Sequence, residues 1–193
     1  MAYGELIDDN FASLASLLSR LPEVDRRTLE SEAIQIAEVI QRGGTIFWCG
    51  NGGSAADSQH LSAELIGRLV NNRIPFSSVS LNADISAITC IANDFGYETI
   101  FERQLEGLAK NGDYLVALST SGRSLNILRV LSKAQSIGVR TLSLLGKGGG
   151  GALLISDSAI VVASDATARI QEMHKIIGHT ICQIVERELG FQN

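Results

Sequence analysis

The sequence predicts an α/β fold: a single doubly wound, mostly parallel five-stranded sheet with extra helices at the amino terminus. Three observations predict it. Short apolar runs recur along the chain, each closed by a turn and followed by a helical segment. The runs are apolar at successive positions, as strands covered on both faces require. The helical segments between them supply the crossovers that parallel strands need.

The elements follow in order. Residues 1–43 read as two helices. "GELIDDNFASLASLLSRL" carries Leu6, Phe11, Leu14, Leu17 and Leu18 at mixed three- and four-residue spacing, and Pro22 breaks it. "RTLESEAIQIAEVIQRGG" resumes the helical period and stops at Gly43-Gly44. Residues 44–193 read as the α/β core. "TIFWC" is the first strand and ends in a glycine turn. "FSSVSL" (76–81) leads into "NADISAITCIAND", and "DYLVALS" (113–119) into "TSGRS" and a helix. "VRTLSLL" (139–145) leads into "GKGGGG", and "AIVVAS" (159–164) precedes the long helix "ARIQEMHKIIGHTICQIVEREL". No repeat, linker or low-complexity tract divides the 193 residues, so one domain is expected.

Composition excludes several classes. With 45% hydrophobic and 19% charged residues, the chain has enough apolar surface to fold. Its net charge is −5 and no Lys/Arg cluster appears, which argues against a nucleic-acid partner. The three cysteines, Cys49, Cys90 and Cys182, are odd in number and form no C-x-x-C pair, so neither a disulfide framework nor a thiolate zinc site is expected. A reducing, cytoplasmic setting fits. The opening "MAYGELIDDN" is acidic where a leader peptide needs basic residues, and no long apolar run suggests a membrane span. The mean hydropathy of +0.17 hints at apolar surface buried between copies.

In such a sheet all strand carboxyl ends share one edge, where ligands bind. Three of the five turns there are rich in Gly and Ser. "CGNGGS" lacks both the dinucleotide glycine spacing and the P-loop Lys, so no nucleotide cofactor is expected. Taken alone it reads as a tight strand-to-helix turn with Ser54 as N-cap. "STSGRS" says more. Ser119, Thr120, Ser121 and Ser124 surround a helix amino terminus, and a cap would need only one hydroxyl. Four hydroxyls, free N–H groups and the positive helix end suit a phosphate monoester.

His60 and Glu64 share one helix face at i, i+4, a spacing that alone fits a surface ion pair. On the last helix the apolar stripe is Ile170, Met173, Ile177, Ile181 and Ile184, and His174 beside it reads as a structural histidine. His179 lies half a turn away, with Gln171, Gly178 and Cys182 between. So mixed a face suggests contact with a ligand or another subunit. His60, Glu64, Gln171 and His179 together make a chemically sensible zinc set. Gln171 and His179 are eight residues apart, about 12 Å of helix rise, so both reach one ion only by leaning together or by coming from different subunits. The metal-free alternative makes Glu64 a general base and His179 a general acid.

"CGNGGSAADSQHLSAELIGR", "IANDFG", "LSTSGRS" and "TARIQEMHKIIGH" resemble, in order and spacing, the motifs of the phosphoheptose isomerase family of sugar isomerase (SIS) proteins. The resemblance covers nearly the whole chain. It implies a flavodoxin-like three-layer αβα fold and a ketose-aldose isomerase. The expected reaction converts D-sedoheptulose 7-phosphate to D-glycero-D-manno-heptose 7-phosphate, the first step toward nucleotide-activated heptose for lipopolysaccharide or other surface glycans. It further implies a homotetramer with active sites between subunits. Carried over, Asn51, Gly52, Gly53, Asn93 and Asp94 contact substrate, while Ser119, Thr120, Ser121 and Ser124 hold phosphate. Glu64 and His179 are the catalytic pair, and His60, Glu64, Gln171 and His179 are zinc ligands in some members; Gln171 also belongs to the substrate site. Arg123 stands where the family often has Asn or Lys.

A rival class is a non-catalytic SIS-fold tetramer that binds the bacterial replication initiator; it would keep the Gly and Ser turns. The set His60, Glu64, Gln171 and His179 has no purpose in a scaffold and argues for the enzyme. Etherases of the same fold are longer and carry other acidic residues.

Overall fold

The computed structural model describes residues 3–191. Two helices, α1 (Gly4–Ser19) and α2 (Glu23–Gln41), lead into β1 (Ile46–Gly50) and α3 (Gly53–Ile66). Then come β2 (Ser78–Ser80), α4 (Ile85–Phe95), a 3-10 turn (Tyr97–Thr99), α5 (Ile100–Leu108) and β3 (Tyr114–Ser119). The chain continues through α6 (Leu125–Ser136), β4 (Arg140–Leu145), α7 (Ala152–Ile155), β5 (Ser158–Val161) and α8 (Thr167–Glu188). All five expected strands form. Helix α5 was not expected; its apolar anchors Ile100, Phe101 and Leu105 are too few over nine residues to establish a helical period.

The strands pair in the order β2-β1-β3-β4-β5, and every pairing is parallel. Alternate strand residues feed two cores. Ile46 and Trp48 face a cluster with Ile36 of α2, Leu61 of α3 and Ile177 of α8. Phe47 and Cys49 face the other, with Phe101 of α5 and Ile127 and Leu131 of α6. Double coverage is why the strands read as continuous apolar runs. The chain reverses direction across the sheet between β1 and β3, and that switch point opens a crevice at the carboxyl edge.

The amino edge is tied down by Glu32, which is buried on α2. Its carboxylate accepts from Tyr114 Oη (2.5 Å), Arg140 Nη2 (2.8 Å) and Nε (3.1 Å), and Ser158 Oγ (2.6 Å). One side chain thus holds β3, β4 and β5 to α2. Burial pushes the Glu32 carboxyl up, but Arg140, Ser158 and Tyr114 together hold it below its ordinary 4.5.

At the carboxyl edge two glycine turns interlock. Gly122 has φ +60°, and a Cβ there would lie 1.8 Å from the Gly149 carbonyl oxygen. Gly122 O accepts from Ala152 N at 2.9 Å. The "GKGGGG" turn is therefore backbone packed on backbone, where any side chain would intrude.

Both ties give measurable expectations. Because the folded Glu32 titrates below 4.5, its contribution is complete above pH about 4.5 and is lost as pH falls through the lower folded value. Thermal midpoints followed from neutral pH downward should drop more steeply for the native chain than for Glu32→Gln, which starts lower. Gly122→Ala should cost on the order of 2 kcal/mol, from positive φ and backbone overlap together. Urea unfolding should show it as a lower midpoint at unchanged slope.

Candidate active site

The Gly50–Gly53 turn starts α3 at the switch point. The expected cap is corrected here: Gly52, with φ +58°, occupies the N-cap, and Ser54 is buried within the first turn. Only glycine takes that φ freely. Ser54 N and Ala55 N close back onto Asn51 O (3.1 Å) and Gly52 O (3.0 Å), which leaves the N–H groups of Gly52 and Gly53 for a ligand at the crevice edge. Beneath the turn, Asn82 extends the pairing of β1: Gly50 N donates to Asn82 Oδ1 (3.1 Å) and Asn82 Nδ2 donates to Gly50 O (3.0 Å).

Helix α8 runs alongside α3 in the same direction. Gln171 packs on Gly53, where a Cβ would sit 2.5 Å from its Nε2. Further along, Gly178 meets Leu61, with 2.4 Å between a built Cβ and Leu61 Cδ1. At Gln171 and Gly178 the small-residue face of α8 meets α3 of the same chain, a neighbour the sequence did not single out. Close approach there brings His179 onto His60.

The two imidazoles meet at 2.8 Å between Nε2 atoms, with their rings edge to face. His60 Nε2 lies 3.3 Å from Glu64 Oε1. His60, Glu64 and His179 each offer one ligand atom, all within 4.8 Å of one another. Two imidazole nitrogens and one carboxylate aimed at a common point suit a divalent ion such as zinc. Burial pushes the His179 ring below its usual range, and facing His60 pushes it further, while Glu64 opposes. A neutral ring is the form a metal ligand needs. Nearby, Lys175 Nζ pairs with Asp57 Oδ1 at 3.0 Å. His174 is buried as expected of a structural histidine, with Nε2 3.0 Å from Leu145 O, but it is not fully satisfied, because its buried Nδ1 has no hydrogen-bond partner.

The second turn lies across the crevice. Ser124 holds the N-cap position of α6, but its side chain makes no cap bond. Ser119 Oγ accepts from Gly122 N (3.0 Å) and Ser121 Oγ from Arg123 N (3.3 Å). An accepting hydroxyl keeps its proton to donate. The arrangement therefore aims spare donors at the amino end of α6, where an oxyanion is favoured.

A side-chain amide pair joins the two turns. Asn51 Nδ2 donates to Asn126 Oδ1 (2.9 Å), and Asn126 Nδ2 donates back to Asn51 Oδ1 (2.8 Å). Tyr97 Oη also donates to Asn51 Oδ1 at 3.0 Å. The Asn51 carbonyl oxygen is thus fully engaged by protein partners, while one of its two amide hydrogens stays unspent. Sequence reasoning missed Asn126, Tyr97 and Asn82, although Tyr97 directly follows "IANDFG" and Asn126 closely follows "STSGRS". It also missed Lys147, whose φ of +49° is the one positive value outside glycine among the described residues. Its Nζ donates to Thr167 Oγ1 at 3.0 Å, linking the "GKGGGG" turn to the start of α8. Asn93 and Asp94 end α4 and are exposed. Asn93 Nδ2 donates to Asp94 Oδ1 (2.7 Å), and Cys90 Sγ to Asp94 Oδ2 (3.7 Å).

The chain is similar to known proteins in sequence and in fold. The SIS domain family model matches residues 10–146. A phosphoheptose isomerase of Akkermansia muciniphila is 48% identical over 183 residues, covering 95% of this chain and 93% of that protein. One from Helicobacter pylori is 43% identical, covering 98% of each. The phosphoheptose isomerase structure from Neisseria gonorrhoeae superposes with a TM-score of 0.89 at 32% identity, over 95% of this chain and 98% of that one. That from Francisella tularensis gives 0.92 at 28% identity, over 97% and 100%. On the family model and these identities together, the chain belongs to the phosphoheptose isomerase family of SIS-domain proteins, whose phosphoheptose isomerases are aldose-ketose isomerases.

Proposed function

We propose that this isomerase converts D-sedoheptulose 7-phosphate to D-glycero-D-manno-heptose 7-phosphate, supplying heptose for lipopolysaccharide or other surface glycans from the cytoplasm. The observation that carries the proposal is the meeting of Glu64 and His179 beside His60, across a crevice from a turn with unspent hydroxyl donors. The phosphate binds at Ser119, Thr120, Ser121 and Ser124. The N–H groups of Gly52 and Gly53 bind sugar hydroxyls, with Gln171, Asn93 and Asp94 completing the pocket. Asn51 holds the first turn to α6 through its carbonyl and one amide hydrogen, and its second amide hydrogen is left to meet the substrate.

Ketose-to-aldose conversion moves a proton from C1 to C2 and another between the two oxygens. Glu64 takes the C1 proton as the C2 carbonyl becomes an enediol oxygen, then returns a proton to C2. His179 donates to the developing O2 oxyanion and regains its proton from O1 as the C1 carbonyl forms. Its lowered basicity means that a neutral imidazole N–H does this at neutral pH. A zinc ion held by His60, Glu64 and His179 would supply a Lewis acid that polarises the carbonyl. Gln171 of the same chain lies two helical turns away, so a fourth ligand from Gln171 comes from a second copy.

A homotetramer fits the surface. Helix α1 has no buried residue, and its Leu6 and Phe11 are 59% and 71% exposed. Ile85 and Phe95 are likewise exposed on α4. Apolar faces of this kind are covered in symmetric assemblies. No helix among the described residues is long and apolar enough to cross a membrane.

Incubation with sedoheptulose 7-phosphate should yield the aldose, and in D2O the aldose should carry deuterium at C2. Unlabelled product would indicate hydride transfer and contradict the enediol route. Glu64→Gln should lose at least about a hundredfold in kcat while still binding substrate. Retained turnover would remove Glu64 as the base.

A further inference from the structure

Arg73 lies between α3 and β2, and its side chain has no exposure. A buried guanidinium is costly unless its donors are satisfied. Here they are. Nη2 donates to Glu64 O (2.7 Å), and Nη1 to Leu65 O (2.8 Å) and Ile74 O (3.0 Å). Nε donates to Glu186 Oε1 at 2.8 Å. The guanidinium also stacks on Phe76, 3.8 Å from the ring centre.

The last carbonyls of a helix have no intrahelical partner. Arg73 takes up two of those of α3, Leu65 O and that of Glu64 itself. Glu186 belongs to α8, seven residues beyond His179 and therefore on the same face. Its remaining capacity receives the N–H groups of Leu69 (3.1 Å), Val70 (3.3 Å) and Asn71 (3.4 Å). Burial pushes the Glu186 carboxyl up, but these amides and Arg73 hold it below its ordinary value, as a carboxylate.

We propose that the Arg73–Glu186 pair is a positioning device for the reacting groups, fixing the register of α3 on α8 so that His60 and Glu64 meet His179. The pair touches no substrate. It acts through the backbone of Glu64 at one end and through two turns of α8 at the other. Arginine is required, because only its rigid fork reaches helix-end carbonyls and a carboxylate together. The proposal rests on the assignment of Glu64 and His179 to the reaction.

The test compares full-length Arg73→Lys and Glu186→Gln with Glu32→Gln, which disrupts a separate buried cluster at the starts of β3, β4 and β5. With sedoheptulose 7-phosphate, kcat should fall about 10- to 100-fold for the first two, with KM changed by less than about twofold. Glu32→Gln should keep kcat despite its lower thermal midpoint. The chain has three histidines, so their ring 15N signals provide a second readout. His60 and His179 signals should move in Arg73→Lys and Glu186→Gln while His174 stays. Native kcat and unmoved His60 and His179 signals in a folded variant would overturn the proposal and leave the pair purely structural. If Arg73→Lys does not fold, the near-isosteric Glu186→Gln decides. If the native chain does not turn over heptose phosphate, the functional reading fails, and the histidine signals still decide the positioning claim.

Discussion

The candidate site depends on one close contact, the side-by-side approach of α3 and α8 at Leu61 and Gly178. Any side chain at 178 would force the buried Leu61 side chain, or the helices themselves, to shift. With glycine there, His179 reaches His60 and Glu64, and Gln171 reaches Gly53 two turns earlier. Close packing carries strain and displacement with little loss, so a shift at Gly178 would be felt at His179. The sheet supports this contact from below, since Trp48, Leu61 and Ile177 share a core.

The sheet edge divides the work between two turns. The Gly50–Gly53 turn presents backbone, and the Ser119–Ser124 turn presents hydroxyls. Asn51 and Asn126 keep the two in register through reciprocal amide bonds. Such a pair can be made with full satisfaction only in one geometry, so it specifies the crevice more than it stabilises the fold. The third turn, Gly146–Gly151, braces the second from behind.

Much of this was legible in the sequence, for physical reasons. The five strands read clearly because double coverage makes them apolar throughout, as in "IFWC" and "YLVAL". Pro22 and Gly43-Gly44 marked the helix ends because they alter backbone options directly. Helix α5 escaped because nine residues hold too few turns for a period. Ser54 was misplaced as a cap because nothing local distinguishes it from Gly52, whose positive φ decides the matter. The small-residue face of α8 signalled a close neighbour correctly, but a face cannot state which neighbour. Arg73, Asn82 and Asn126 were silent because their meaning lies in partners far along the chain. His60 and Glu64 gained meaning only beside His179, which packing supplies and spacing does not.

The most direct measurement of the central claim is a crystal structure of Glu64→Gln with sedoheptulose 7-phosphate bound. The phosphate oxygens should lie within hydrogen-bond distance of the Ser119, Ser121 and Ser124 hydroxyls, with C1 and C2 facing position 64 and His179. A phosphate bound away from that turn, or C1 and C2 beyond reach of the His60, Glu64 and His179 cluster, would contradict it.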